Sequence, residues 1–153
     1  YTSMDVDGDG MVEIPVQEPF PGYDSEASEQ VRLTRWLGVS GTSLAEKERG
    51  YYSLSDSCMF LLPLEWYGKV TAVTDALTGD IVFCRYDGEM TEGMTELLRY
   101  CVIQDEEEQE ERVADGYHLI RTRGKAAYDI YVPQSEDEMA MDWQTLMAKF
   151  LFF

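Results

Sequence analysis

The sequence predicts an α+β fold: an antiparallel β-sheet with a packed C-terminal α-helix, preceded by a short β segment that carries an Asp-rich loop. Three observations lead to this prediction. Short apolar runs separated by turn residues recur along the chain, which is typical of antiparallel strands. A stripe of apolar residues at helical spacing stands near the C-terminus. A short stretch near the N-terminus has an acid at nearly every second position, which is typical of a cation-binding loop.

The first third of the chain combines loop with a few strands. Its opening residues are rich in Asp, Gly and Pro, and we expect one short strand there, Val12–Val16. Val31–Leu37 alternates apolar and polar residues, and the turn residues after it predict a hairpin whose return strand is Leu44–Ser53, although Ala45–Glu48 within it would also suit a helix. We expect residues 1–54 to be a calcium-loop β segment that ends a propeller-like region, and residues 55–153 to be the α+β domain.

The second part of the chain carries most of the predicted sheet. Pro63, Trp66 and Gly68 predict a strand end covered by a buried indole ring, with ligand binding as the alternative. The acidic run Asp105–Glu111 is typical of a solvated helix or loop, and we assign it no chemistry. The predicted strands are Cys58–Leu62, a run from Val70 to Asp75, Ile81–Cys84, Leu97–Gln104, Tyr117–Thr122 and Ala126–Val132.

A C-terminal helix is predicted from about residue 136 to residue 151. Ser135 and Glu138 have the spacing of a capping box, in which the side chains at the N-cap and three residues later satisfy free backbone N–H groups. The apolar residues behind the box fall on one helical face, which we expect to lie on the sheet. They are Met139, Trp143, Leu146, Met147 and Phe150.

The Asp-rich loop is the one motif with a chemical mechanism. Asp5, Asp7, Asp9 and Glu13 offer four carboxylates, and Met11 offers a backbone carbonyl between them. Calcium takes six to eight oxygen ligands, so these groups nearly complete its shell and water can supply the rest. We therefore predict a calcium site formed by these five residues.

The spacing of this loop excludes an EF-hand. An EF-hand loop that starts at Asp5 would need an acid at its twelfth position, which is Val16. The loop instead closes on Glu13 and runs straight into a strand. It resembles the D-x-D-G-D-G-x-x-[DE] hairpin loops of integrin-type, FG-GAP-like β-propeller blades.

A wider resemblance covers most of the chain. The segments Glu13–Pro19, Leu33–Trp36 and Phe60–Thr71 resemble a group of uncharacterised secreted proteins and lipoproteins of Gram-positive gut bacteria. In that group an acidic calcium-type loop precedes an antiparallel sheet. The resemblance implies a location in the cell envelope and carries no known activity with it.

Composition narrows the range of partners. The net charge of -18 repels phosphate backbones, which excludes nucleic acid as the expected partner. No apolar stretch approaches the roughly 18 residues that a membrane span needs. The chain starts at Tyr1 without an initiator Met, so we expect it to be part of a longer protein, extracellular and anchored at the cell surface. Its expected partner is an unknown protein or glycan there.

The cysteines leave two alternatives open. Cys58, Cys84 and Cys101 each lie in an apolar run, which predicts buried free thiols. A single bridge is the other alternative, and Cys84 with Cys101 is then the expected pair. No CxxC spacing indicates zinc.

Catalysis has little support in the sequence. The single histidine, His118, lies in a predicted strand, where we expect an edge or surface position without an essential role. No phosphate-binding Gly loop with a Lys is present. We therefore expect a non-catalytic extracellular binding or structural module, the alternative being a carbohydrate-active or peptidase-type enzyme that uses carboxylates.

Overall fold

A computed structural model describes residues 3–23, 32–91 and 93–153, and it contains two antiparallel sheets of five strands each. The first sheet has the order β1-β2-β3-β4-β10, and the second has the order β5-β6-β7-β9-β8. The strands of the first sheet are β1 (Ile14–Pro19), β2 (Arg32–Ser40), β3 (Ser43–Ser53), β4 (Cys58–Leu61) and β10 (Phe150–Phe152). Those of the second are β5 (Val70–Thr74), β6 (Ile81–Arg85), β7 (Glu96–Ile103), β8 (His118–Arg123) and β9 (Ala126–Tyr131).

The main core lies between the two sheets and is built around aromatic rings. Phe60 of β4 packs against Phe83 of β6 with ring centroids 5.1 Å apart, and against Phe150 of β10 at 4.8 Å. Tyr51 and Tyr100 extend the same group of rings. Because these rings come from both sheets, their burial holds the sheets face to face.

A second, smaller core lies on the opposite face of the first sheet. Tyr52 and Met59 belong to this cluster, whereas their neighbours Tyr51 and Phe60 pack in the main core. This division follows from the alternation of side chains along a strand. The buried members of the outer cluster are Val6, Trp36, Tyr52, Met59 and Leu61.

Two α-helices and one 3₁₀ turn complete the described part of the chain. The acidic run forms α1 (Glu106–Ala114), whose N-cap Asp105 accepts hydrogen bonds from the backbone N–H groups of Glu107 and Glu108. The second helix, α2 (Trp143–Met147), is a single short turn. The 3₁₀ turn (Leu64–Trp66) buries Trp66, whose indole N–H donates to the Met139 carbonyl over 2.9 Å. The prediction of a buried indole at this strand end is confirmed.

The predicted fold class is wrong, because the chain is mostly β and the long C-terminal helix does not form. The 136–151 segment contains only α2, followed by a strand. Ser135 accepts a hydrogen bond from the Asp137 N–H in a local turn, and the N-cap of α2 is Asp142. Phe150 then pairs with Phe60, so the end of the chain forms backbone hydrogen bonds with the open edge of β4. The apolar stripe does reach the core, through Met139, Leu146 and Phe150.

Most other strand predictions are confirmed within one to three residues. The first strand starts later than predicted and extends to Pro19, and Val31, predicted to open the second strand, lies outside the described residues. The predicted boundary after residue 54 falls in the turn between β3 and β4, which pair within one sheet.

The cysteine bridge does not form. All three thiols are free and buried. Cys84 is paired with Glu96 on β7, while Cys101 lies farther along that strand, so the strand register separates the two sulfurs.

Candidate metal site

The Asp-rich stretch is a hairpin loop closed by a pair of backbone hydrogen bonds. Met4 N–H donates to the Glu13 carbonyl over 3.2 Å, and Glu13 N–H donates to the Met4 carbonyl over 2.9 Å. Glu13 is followed directly by β1, which pairs with β2. The loop is therefore attached to the edge of the first sheet.

Two glycines let the loop coil around its acids. Gly8 and Gly10 have φ values of +77° and +87°, a region that residues with a Cβ rarely adopt. Their N–H groups both donate to the Asp5 carboxylate, at 2.8 and 2.9 Å. The Gly10 bond, as the largest cause, lowers the pKa of Asp5 below its ordinary value.

The fold brings the four predicted carboxylates together. One carboxylate oxygen each from Asp5, Asp7, Asp9 and Glu13 lies within 4.8 Å of the other three. The three aspartates are exposed, whereas Glu13 is fully buried. Four negative groups at this spacing repel one another, by about 1 kcal/mol per pair even in water and by more where the site is shielded. A bound cation would remove this repulsion.

Glu13 is the group that most needs a cation. Its Oε2 accepts a hydrogen bond from the Val6 N–H over 2.8 Å, and its Oε1 has no hydrogen-bond partner among the described residues. A buried carboxylate oxygen without a partner is costly, because burial removes water and nothing replaces it.

The loop is also fixed from inside, by an apolar residue that sequence reasoning did not select. Val6 stands between two of the acids, and its side chain packs in the outer cluster with Trp36. The same residue donates its N–H to Glu13. The one apolar position between Asp5 and Asp9 is the signal that could have identified this anchor.

Lys47 is a second participant that the sequence did not indicate. Its ammonium group lies 3.7 Å from Asp9 Oδ2, and both side chains are about 40% exposed. Ion pairs of this kind contribute little, because solvent screens them. Lys47 is placed there by the pairing of β3 with β2, and no local pattern predicts that.

Met11, the predicted carbonyl ligand, lies in the same loop. Its N–H donates to Asp9 Oδ1 over 2.7 Å, and its side chain is exposed. The role of its carbonyl as a ligand stays a prediction.

The described loop could hold a metal ion, and its donor set indicates which kind. All four side chains offer oxygen, and no histidine or cysteine belongs to the cluster. Oxygen ligands suit hard cations such as calcium, magnesium or manganese, whereas zinc and copper prefer sites with nitrogen or sulfur.

His118 lies elsewhere, on the edge strand β8. Its ring stacks on Trp143 with centroids 4.0 Å apart and planes 7° from parallel. The stack is half-buried and lies beside a shallow depression that includes Glu136 and Asp142.

Comparisons of this chain with protein-family models, with curated proteins and with solved structures found no match. Among the described residues, no helix has the length and apolar character needed to cross a membrane. The fold and this loop define the chain as a two-sheet β protein with a candidate cation site at the edge of one sheet.

Proposed function

We propose that this chain is a non-catalytic extracellular binding or structural module whose loop, formed by Asp5, Asp7, Asp9, Met11 and Glu13, binds calcium. The observation that carries the proposal is Glu13. This carboxylate is fully buried, one of its oxygens has no hydrogen-bond partner among the described residues, and it lies within 4.8 Å of three other carboxylates; a cation would satisfy all of them at once.

Calcium fits this loop better than magnesium does. Magnesium requires near-ideal octahedral geometry and gives up its waters reluctantly, so it is rarely bound by a set of several protein carboxylates. Calcium accepts irregular shells of six to eight oxygens. Four carboxylates and the Met11 carbonyl supply at least five, and the exposure of the three aspartates lets water supply the others.

The extracellular location rests on three supports. The loop resembles hairpin loops of extracellular propeller blades, and the wider sequence resembles secreted proteins and lipoproteins. Calcium is abundant outside cells, where modules with dissociation constants of about 10⁻⁴ to 10⁻³ M are occupied.

The net charge of -18 disfavours polyanionic partners, so we propose a surface protein or a glycan as the partner.

In this proposal calcium orders the N-terminal segment on the sheet. Without a cation the repulsion between carboxylates opposes the hairpin, and with a cation the loop closes and Val6 stays packed against Trp36. Binding to the folded state alone would stabilise it by about 2.7 kcal/mol when free calcium is a hundred times the dissociation constant.

Calorimetric titration of the chelator-treated protein tests the proposal. We expect one calcium to bind per chain, with magnesium at least tenfold weaker. The double change Asp7→Asn and Asp9→Asn should abolish binding. The matched control, Glu107→Gln with Glu110→Gln, removes two exposed carboxylates from α1 and should leave binding unchanged. The proposal would be contradicted if the wild type gave no heat of binding at millimolar calcium, or if the control variant lost calcium binding as the double variant does.

A further inference from the structure

A second buried carboxylate lies on the other sheet, far from the loop in sequence. Asp129 is at the middle of β9, where it is paired with Cys101 of β7 on one side and Leu119 of β8 on the other. It is fully buried. The only hydrogen bond to its side chain among the described residues comes from α1: Gln109 Nε2 donates to Asp129 Oδ1 over 2.9 Å.

Each side chain of this pair has an oxygen that takes no part in that bond. Asp129 Oδ2 and Gln109 Oε1 are buried, and neither has a hydrogen-bond partner among the described residues. Both atoms are acceptors if the carboxyl is ionised, so each would carry the cost of an unmet hydrogen bond.

A proton on Asp129 Oδ2 would turn that atom into a donor, and Gln109 Oε1 is the acceptor it would need, so one proton could satisfy both atoms. Nε2 and Oε1 belong to one planar amide, and Oδ1 and Oδ2 belong to one planar carboxyl. When the two planes align, Oδ2–H donates to Oε1 while Nε2–H donates to Oδ1, which gives a closed ring of two hydrogen bonds.

The charges around Asp129 do not replace this proton. Arg112 of α1 acts on Asp129 through its charge, but its hydrogen bonds go to Asp80 Oδ1 over 2.8 Å and to the Thr78 carbonyl over 3.2 Å. Asp80 is itself buried and also accepts hydrogen bonds from Arg99 and Tyr117.

Two further ionisable groups lie on the elements that flank this pair. Glu108 of α1 pairs with Arg112, and the Cys101 thiol lies on the neighbouring strand. Within the described residues Asp129 forms no ion pair. Burial, as the largest cause, raises the pKa of Asp129, and the negative charge of Asp80 acts in the same direction; the Gln109 bond and Arg112 oppose both.

We propose that Asp129 is protonated in the folded protein in acidic solution and ionises as the pH rises, and that the protonated carboxyl forms, with the Gln109 amide, an acid-dependent clamp that holds α1 on the second sheet. This inference is independent of the calcium loop. A carboxyl that is held protonated by the fold contributes its full stability below its ordinary pKa of 3.8. That contribution is lost as the pH rises from 3.8 through the raised pKa in the fold, so α1 loosens towards alkaline pH.

The variant Asp129→Asn tests the clamp, because an asparagine amide reproduces the protonated carboxyl and cannot ionise. We expect the folding equilibrium constant of the wild type, relative to that of the variant, to fall tenfold per pH unit above pH 3.8 for as long as Asp129 stays protonated. The matched control Glu110→Gln, a carboxylate-to-amide change at an exposed position of α1, should not alter the pH dependence. A ratio of wild type to Asp129→Asn that is constant with pH would overturn the proposal.

Two measurements complete the test. The ¹³C signal of the Asp129 carboxyl in the unmodified protein should titrate at higher pH than those of the exposed aspartates; titration together with them would overturn the proposal even if the variant failed to fold. At pH 8, amide hydrogens of residues 106–114 should exchange faster in the wild type than in Asp129→Asn. Equal rates at that pH would show that the pair does not hold α1.

Discussion

At the scale of single residues, Glu13 links the chemistry of the loop to the fold. One of its oxygens accepts from the Val6 N–H, and the other has no partner among the described residues. Val6 in turn packs with Trp36 in the outer cluster. A cation bound by Glu13 would therefore be connected to the outer cluster through Glu13 and Val6. The three aspartates are exposed, so their effect is mainly on the affinity for the cation.

The change Glu13→Gln separates these two effects. Glutamine keeps the acceptor for Val6 and removes one buried charge, so we expect the calcium-free protein to gain about 1 kcal/mol of unfolding free energy. Calcium affinity should fall at least tenfold, which is about 1.4 kcal/mol. Urea unfolding with and without calcium measures both quantities.

The control for this change is Glu89→Gln, which removes one exposed carboxylate at a position remote in sequence. It should leave the calcium response as it is. If Glu13→Gln kept the full stabilisation by calcium, Glu13 would not be a ligand.

At the scale of elements, the last strand, β10, contributes aromatic side chains to the packing on both faces of the first sheet. The Phe150 ring stacks on Phe60 of β4, and its centroid lies 5.5 Å from that of the Tyr100 ring of β7. One residue of β10 therefore contacts both sheets. Three residues later Phe153 stacks on Tyr52 at the other face of the first sheet and is 43% exposed. Strand alternation, and not helical periodicity, sorts these side chains between two cores.

This arrangement predicts different costs for two identical substitutions. Phe150→Ala should reduce the unfolding free energy by about 3 to 5 kcal/mol, as for other buried aromatic residues. Phe153→Ala should cost less than about 1.5 kcal/mol, because its ring is half exposed and contributes little beyond one stacked pair. Denaturant unfolding of both variants is the measurement, and equal losses would contradict the packing of β10.

At the scale of the whole molecule, the three buried thiols report on the integrity of the fold. Burial is the largest cause of their raised pKa values, which are about 11 for Cys58 and Cys84 and about 12 for Cys101. Because the thiolate is the reactive form, a raised pKa and lack of access both suppress reaction at neutral pH.

We therefore expect the native protein at pH 8 to react slowly with a disulfide reagent. In the unfolded protein, all three thiols should react rapidly. If only one thiol reacted rapidly after unfolding without reductant, the other two cysteines would be joined in a disulfide bridge. Rapid reaction of a thiol in the native protein would show that part of the core opens without global unfolding.

Features of this protein that depend on neighbouring residues can be predicted from the order of amino acids. The alternating acids and the two glycines between Asp5 and Glu13 specify a loop that gathers carboxylates, because the spacing alone brings them to one centre. Strand runs bounded by turn residues specified most of the strands for the same reason. The net charge of -18 needs no structure at all.

Tertiary structure alone decided the rest, because the deciding partners are distant in sequence. The predicted helix would have ended in the residues that form β10. These residues are a strand because they pair with β4, which lies far away in the sequence. Val6 is buried because it packs in one cluster with the distant residue Trp36, and Glu13 accepts its hydrogen bond beside that cluster. The pairing of β3 with β2 places Lys47 close to Asp9. A local pattern cannot report a hydrogen bond or a contact whose other half lies tens of residues away, and in this chain those contacts determine both the fold class and the burial of Glu13.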